Sequence, residues 1–160
     1  MQRLAIYILP LLLFLFTACE DTTFRSSVPY YPVSLKIDTN QDIYVNFKPA
    51  CINSHIIVDK DGYHFNGITR LHNGMGFAYG YAGVVVYITL GSEYMAYDLC
   101  CPHCLLQHQP VDVDGMFATC ATCGEQYNLD VYGTPTKGIS REALRRYSAL
   151  YSGGILTIRN

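Results

Sequence analysis

Five of the seven cysteines in this chain of 160 residues fall in two short segments. The first segment, residues 100–104, reads Cys-Cys-Pro-His-Cys, and the second, residues 120–123, reads Cys-Ala-Thr-Cys. Thiolate and imidazole ligands favour zinc, copper(I) or iron–sulfur centres over calcium or magnesium. The two segments therefore predict a thiolate-rich metal site, and their spacing allows more than one set of ligands.

One set of ligands consists of cysteines alone. Cys101, Cys104, Cys120 and Cys123 have the spacing C-x2-C-x15-C-x2-C, which is typical of a four-cysteine zinc site. In that set His103 has no role at the metal. A second set takes Cys101 and His103 from the first segment, as C-x-H, and combines them with the C-x-x-C of the second.

The two cysteine segments come directly after stretches that predict β-strands, residues 94–98 and 116–119. Fourteen tyrosines and seven phenylalanines suit a β-rich fold, because aromatic side chains fit a pleated, half-buried surface. Turn signals recur along the chain, among them the Asp-Gly steps at 61–62 and 114–115. This pattern predicts an all-β antiparallel fold in which two strands present two loops toward one point.

Three further stretches complete the prediction of secondary structure. Residues 83–90 are the most β-prone run and predict a central strand. Residues 43–47 alternate between apolar and polar side chains, which predicts another strand. Residues 141–147 form the one candidate helix, with Ser140 as its N-cap, although an irregular conformation fits that stretch equally well.

The cysteine segments and their surroundings resemble the Rieske family of iron–sulfur proteins. The family pattern is C-x-H followed, after a gap of similar length, by C-x-x-H, and Cys101, His103 and Cys120 match it. Cys123 stands where the family has its second histidine. Similarity extends to the strand before the first segment and to the chain from Tyr127 onward. The resemblance implies a Rieske-like antiparallel sandwich with a small two-loop metal-binding subdomain.

The resemblance also implies a cofactor. In the family, two cysteines hold one iron of a [2Fe–2S] cluster and two histidines hold the other. Carried over to this chain, Cys101 and Cys120 would hold one iron, while His103 and Cys123 would hold the other. Cys104 is the alternative ligand. The implied function is one-electron transfer with an unidentified redox partner rather than stand-alone enzyme activity.

Two departures from the family pattern bear on such a cluster. The thiolate of Cys123 adds negative charge where the family has an imidazole. Glu125 replaces a serine that in many family members donates a hydrogen bond to a cluster sulfur, and an ionised carboxylate cannot donate. Both departures predict a low reduction potential.

The N-terminus resembles the signal of a bacterial lipoprotein. Arg3 precedes an apolar stretch that is too short to span a bilayer comfortably. The Thr-Ala-Cys that ends at Cys19 resembles a lipobox, so Cys19 is the predicted lipidation site. We predict a lipoprotein signal peptide at 1–18, a lipid anchor and linker at 19–34, and the Rieske-like domain at 35–160. The mature protein would be extracytoplasmic and lipid-anchored to a bacterial membrane.

This predicted location keeps a non-redox alternative open. Cysteines of exported proteins usually pair, so disulfides between the two segments could hold the loops without any metal. A four-cysteine zinc site could do the same. In either case the chain would be a structural or binding lipoprotein with a Rieske-like fold.

The net charge of −2 gives no indication of nucleic-acid binding, because proteins that bind DNA usually carry a basic excess. No phosphate-binding loop, Ser/His/Asp arrangement or pair of carboxylates stands out in the sequence. The partners that the two resemblances imply are the membrane, through the N-terminal lipid, and a redox protein.

Overall fold

The computed structural model describes residues 25–71 and 78–160. Within these ranges the chain forms β-strands and one 3-10 turn at Asp42–Tyr44, and it contains no α-helix. The all-β prediction is therefore confirmed. Among the described residues no helix is long and apolar enough to cross a membrane. The predicted signal peptide and the lipidation site Cys19 lie outside the described residues.

The strands pair antiparallel throughout. In chain order they are β1 Val33–Asp38, β2 His55–Asp59, β3 Gly62–Phe65, β4 Ile68–Arg70, β5 Ala78–Tyr79, β6 Val84–Ile88, β7 Tyr94–Asp98, β8 Asp112–Asp114, β9 Phe117–Thr119, β10 Gln126–Asn128, β11 Thr134–Lys137, β12 Arg146–Ser152 and β13 Ile155–Arg159. The larger sheet has the order β4-β3-β2-β6-β7-β12-β13-β1-β5, and the smaller has the order β11-β10-β9-β8.

The larger sheet is strongly curled, as the connection between its two outermost strands requires. Only residues 71–77 join β4 to β5, and a chain of that length spans at most about 28 Å. Nine strands laid flat would place the outermost two about 38 Å apart, given the usual spacing of about 4.8 Å. The sheet must therefore curve back on itself toward an open barrel.

Strand β6 lies between two hydrophobic cores. Val84, Val86 and Ile88 face the core inside the curled sheet, and Val85 and Tyr87 face a second core between the two sheets. All five side chains are fully buried. Because successive side chains point to opposite faces, a strand buried on both sides must be apolar at every position. This confirms the central strand predicted at 83–90.

The second core connects the larger sheet to the cysteine loops. It contains Tyr97 of β7, Ala118 of β9 and Tyr127 of β10, together with Cys101 and Cys120. The first cysteine loop follows β7 and leads to β8, and the second joins β9 to β10. The small sheet and the end of β7 therefore hold both loops against one apolar base.

The candidate helix at 141–147 does not form. Residues 141–145 are irregular and β12 begins at Arg146. The Leu144 N–H donates to the Gly133 carbonyl at 3.0 Å, and the Arg145 carbonyl accepts from Asp98 N–H at 2.8 Å. Because tertiary contacts use these backbone groups, they cannot form the hydrogen bonds of a helix.

The described end of the predicted linker packs against the domain. Val28 is fully buried, and the Arg145 guanidinium donates to the carbonyls of Val28 and Ser26 at 2.7 and 3.1 Å. The Ser27 hydroxyl donates to the Glu142 carboxylate at 2.8 Å. Residues 26–32, the N-terminal strap, are thus held against the segment that precedes β12.

Candidate metal centre

The two cysteine loops have the same local backbone geometry. In the first loop Leu105 N–H donates to the Cys101 carbonyl at 2.9 Å, and in the second Gly124 N–H donates to the Cys120 carbonyl at 2.8 Å. Leu105 and Gly124 both have left-handed backbone, with φ of 54° and 73°. Each C-x-x-C is therefore a single closed turn that points both of its cysteines the same way.

These turns bring four thiol groups together. The Sγ atoms of Cys101, Cys104, Cys120 and Cys123 all lie within 4.8 Å of one another. The Cys101–Cys123 sulfur distance is 3.7 Å and the Cys104–Cys120 distance is 3.9 Å. None of these sulfurs is bonded to another. We call this group the cysteine quartet.

The quartet fits a single tetrahedral metal ion. Four thiolates bound at about 2.3 Å to one ion have sulfur–sulfur edges of about 3.8 Å, and the two short distances of 3.7 and 3.9 Å agree with that value. In a two-iron cluster, thiolates on opposite irons are separated by the iron–iron axis as well. They would therefore lie farther apart than the edges of one tetrahedron.

The predicted ligands fall into two groups in the structure. Cys101, Cys120 and Cys123 are brought together, and Cys104, the alternative ligand, occupies the fourth position. His103 is exposed and does not belong to the converging group. The set that the structure assembles is thus the four-cysteine set, and ligation by His103 stays a prediction without geometric support.

Backbone N–H groups surround the second loop's sulfurs. Burial alone would raise the pKa of the Cys120 thiol, but hydrogen bonds from the backbone N–H groups of Cys123 and Thr122 and from the neighbouring thiols together outweigh burial and lower it. Burial raises the pKa of the Cys104 and Cys123 thiols. N–H groups that point at sulfur favour the thiolate, which is the form that binds a metal.

Tyr127 contacts the quartet from the side of the second core. Its hydroxyl lies 3.2 Å from Cys101 Sγ, and the ring is fully buried. Burial and the neighbouring thiol raise the pKa of the Tyr127 hydroxyl, so the phenol stays protonated and can donate to a thiolate. A donor in this position fixes the ligand's orientation and adjusts its basicity.

Glu125, which stands where many Rieske proteins have a serine that donates to a cluster sulfur, forms hydrogen bonds with the backbone instead. Its side chain is 2% exposed, and its carboxylate accepts hydrogen bonds from the backbone N–H groups of Ile139 and Ser140 at 2.6 and 3.1 Å. A side chain on Gly138 would overlap this carboxylate. Glu125 therefore anchors the segment 138–140 beside the second loop.

Asp98 anchors the base of the first loop. Its carboxylate accepts from the N–H groups of Tyr81 and Cys100 at 2.7 and 2.8 Å, and from the Tyr147 hydroxyl at 2.7 Å. Burial raises the pKa of Asp98, and these hydrogen bonds oppose the shift. The end of β7 is thereby tied to β12 and to the turn after β5.

The two remaining described cysteines lie outside the quartet. Cys100 is buried, its sulfur lies 3.6 Å from the Cys101 carbonyl, and burial raises the pKa of its thiol to about 12. Cys51 is half-buried in the loop before β2. Neither belongs to the converging set of ligand atoms.

Comparison with known proteins finds similar chains among solved structures. One is the complex of reduced oxygenase and oxidized ferredoxin in carbazole 1,9a-dioxygenase, with a TM-score of 0.44, 17% identity, and coverage of 79% of this chain and 93% of that one. Another is the Sphingomonas yanoikuyae B1 ferredoxin, with a TM-score of 0.37, 16% identity, and coverage of 56% and 81%. No protein-family model and no curated protein matches the chain. Fold and site together define an all-β protein with a four-thiolate candidate metal centre.

Proposed function

We propose that the cysteine quartet binds one zinc ion, and that the chain is a structural or binding protein with a Rieske-like fold and not an electron carrier. The observation that supports this most directly is the convergence of four sulfurs within 4.8 Å, with two close distances that match the edges of one tetrahedron. Four thiolates in tetrahedral arrangement are the usual ligands of structural zinc.

The zinc would fix the relative position of the two loops. The quartet lies at the end of the second core, and its outer members, Cys104 and Cys123, are only half-buried. Hydrogen bonds within each turn set the conformation of one loop, but the two loops need a further connection to each other. A zinc ion shared between the loops supplies that connection, and the loops then present a rigid surface around His103.

A second candidate function is one-electron transfer through iron in the same quartet. The partial exposure of Cys104 and Cys123 favours it, because a redox centre close to the surface can exchange electrons with a docked protein. Tetrahedral thiolate sites take iron as well as zinc, and the residues around both loops resemble a family of iron–sulfur proteins. This candidate requires either a single iron or loops that separate enough to admit a [2Fe–2S] cluster.

We further propose that the protein is extracytoplasmic and attached to a bacterial membrane through a lipid on Cys19. The support is the apolar N-terminal stretch and the Thr-Ala-Cys that ends it. Labelling cells with a radioactive or clickable fatty acid tests this proposal, and Cys19→Ser is expected to abolish the label. Label retained on that variant would refute it.

Metal analysis distinguishes the two candidate functions. The full chain is purified under anaerobic conditions, and zinc, iron and acid-labile sulfide are measured per chain. We expect about one zinc and no sulfide. Iron in place of zinc, with sulfide for a [2Fe–2S] cluster or without sulfide for a single iron, together with a visible spectrum that bleaches on reduction, would refute the zinc proposal and support the electron carrier.

Two variants in the same loop test the set of ligands. Cys104→Ser is expected to lose the metal, because only three thiolates remain. His103→Ala is the matched control and is expected to retain it, because the His103 side chain is exposed and outside the quartet. The reverse result would restore His103 as a ligand and contradict the four-cysteine site.

A further inference from the structure

The sulfurs of the quartet form two close pairs, and each pair joins one loop to the other. Cys101 and Cys123 are 3.7 Å apart, and Cys104 and Cys120 are 3.9 Å apart. Each pair combines one fully buried cysteine, Cys101 or Cys120, with one half-buried cysteine, Cys123 or Cys104. Both pairs therefore combine a cysteine that is partly accessible to solutes with one that is not.

We propose that the quartet is a redox-controlled metal site, in which a small-molecule or protein disulfide converts the four thiolates into two cross-loop disulfides and releases the metal. The expected bonds are Cys101–Cys123 and Cys104–Cys120. This inference rests on the proposed function, because it assigns regulation to the same four cysteines.

The chemistry proceeds by two thiol–disulfide exchanges in each pair. The sulfur of the half-buried cysteine attacks the external disulfide R–S–S–R, whose S–S bond breaks, and one RS⁻ leaves and takes up a proton. The buried cysteine then attacks the protein sulfur of this mixed disulfide, and the second RS⁻ leaves in the same way. Two electrons pass from the cysteine pair to the external disulfide.

The balance for the whole site follows from these steps. Four protein thiolates, one divalent ion, two external disulfides and four protons give two protein disulfides, the free ion and four molecules of RSH. No thiolate of the quartet remains to bind the ion, so oxidation and metal release are one event. A reducing thiol in excess reverses the reaction.

The structure favours pairing across the loops over pairing within each C-x-x-C. The sulfurs of both cross-loop pairs lie within 4 Å of each other, and a disulfide needs its sulfurs at about 2.05 Å, so each pair requires only a small movement. They also close the chain segments 101–123 and 104–120, which restricts the unfolded chain more than closing two four-residue turns does. Cross-loop disulfides would hold the loops together after the metal has left.

The burial of the pairs also determines where the reaction begins. Cys101 is 1% exposed and contacts the Tyr127 hydroxyl at 3.2 Å, and Cys120 is likewise 1% exposed. An external disulfide cannot approach these sulfurs directly. The first mixed disulfide should therefore form on Cys104 or Cys123.

The test uses the full chain, reduced and loaded with zinc, and exposes it to oxidised glutathione. Zinc release is followed with a chromogenic chelator, free thiols are counted, and the disulfides are mapped by mass spectrometry of the unreduced digest. We expect release of the bound zinc, loss of four thiols, and the bonds Cys101–Cys123 and Cys104–Cys120. Bonds within each C-x-x-C, bonds to Cys100, or a quartet that stays reduced would each overturn the inference.

Two variants sharpen the result. In Cys104→Ser we expect the Cys101–Cys123 disulfide alone, with Cys120 left as a free thiol, and a Cys120–Cys123 bond would contradict the pairing. Cys51→Ser is the matched control outside the quartet and should form both cross-loop bonds. Absence of zinc from the reduced chain would refute the proposed function, whereas the disulfide map of the metal-free chain would still test this inference independently.

Discussion

Gly124 offers a direct test of the loop geometry, because the chain contains a second glycine with nearly the same conformation elsewhere. Gly124 closes the second cysteine loop with φ of 73°, and Gly67 lies in the turn between β3 and β4 with φ of 76°. A Cβ on either glycine would meet no atom within 4 Å beyond its neighbours in the chain. Gly124→Ala and Gly67→Ala therefore introduce the same backbone strain without a steric clash.

The magnitude follows from that strain. A left-handed conformation costs a residue with a Cβ roughly 1–2 kcal/mol, and alanine recovers about 0.4–1 kcal/mol by restricting the unfolded chain. The net cost is about 1 kcal/mol at either position. In Gly67→Ala this cost falls on the free energy of unfolding, with zinc affinity unchanged. In Gly124→Ala the loop can leave the left-handed conformation when no metal is bound, and it must adopt that conformation again to bind zinc. The cost therefore weakens zinc affinity by about fivefold.

The assay combines urea unfolding in the presence of a chelator with competitive zinc titration of both variants and the unmodified chain. Gly91→Ala serves as a further control, because Gly91 is exposed and does not have a left-handed φ. The reasoning would be refuted if Gly124→Ala and Gly67→Ala bound zinc equally tightly. Closure of the second loop by Gly124 would then be no part of the metal-bound geometry.

Three further predictions concern the surroundings of the quartet. Glu125→Ala should lower the free energy of unfolding by about 2–5 kcal/mol in urea titrations, because two backbone N–H groups lose their buried acceptor. Glu125→Gln keeps an acceptor oxygen and should cost less. Equal losses in the two variants would argue against Glu125 as the anchor of 138–140. Tyr127→Phe should weaken zinc binding by about tenfold, because the hydroxyl that orients Cys101 is lost. An unchanged zinc affinity would contradict this role of Tyr127. Metal removal by a chelator should abolish amide protection in both cysteine loops and leave β6 protected, because β6 is buried between two cores; protection lost equally in β6 would show that the whole fold depends on the metal.

The central strand and the loop positions were predictable because their signals are local. Within the predicted run 83–90, residues 84–88 are apolar at every position, which is the pattern of a strand that is covered on both faces. The prediction of a strand at 43–47 was wrong. Tyr44 and Phe47 are buried three residues apart, and Phe47 N–H donates to the Tyr44 carbonyl at 2.8 Å. Side chains three positions apart share a face in a helical turn and not in a strand, whereas Ile43, Val45 and Phe47 have the spacing of one strand face, and five residues cannot decide between the two patterns.

The choice between His103 and Cys104 also lay beyond the sequence. The segment Cys-Pro-His-Cys fits both C-x-H and C-x-x-C, so spacing alone supports either residue as a ligand. The turn closed by Leu105 favours Cys104 in the structure, because it directs Cys104 toward the second loop and leaves His103 at the surface. The sequence does not reveal the left-handed conformation of Leu105, whereas a glycine such as Gly124 at the equivalent position suggests one. The signal in the sequence that pointed to Cys104 was the repetition of C-x-x-C in the two loops.

The N-terminal strap has a consequence for where the domain can operate. If a lipid on Cys19 holds the protein at a membrane, residues 20–25 are all that separate the lipid from Ser26, where contacts with the domain begin. A segment of that length extends at most about 25 Å. The domain would then remain within roughly one small domain's width of the bilayer. Such a short tether would keep the domain from reaching far into the surrounding compartment, so any protein that binds the cysteine loops would itself have to be near the membrane.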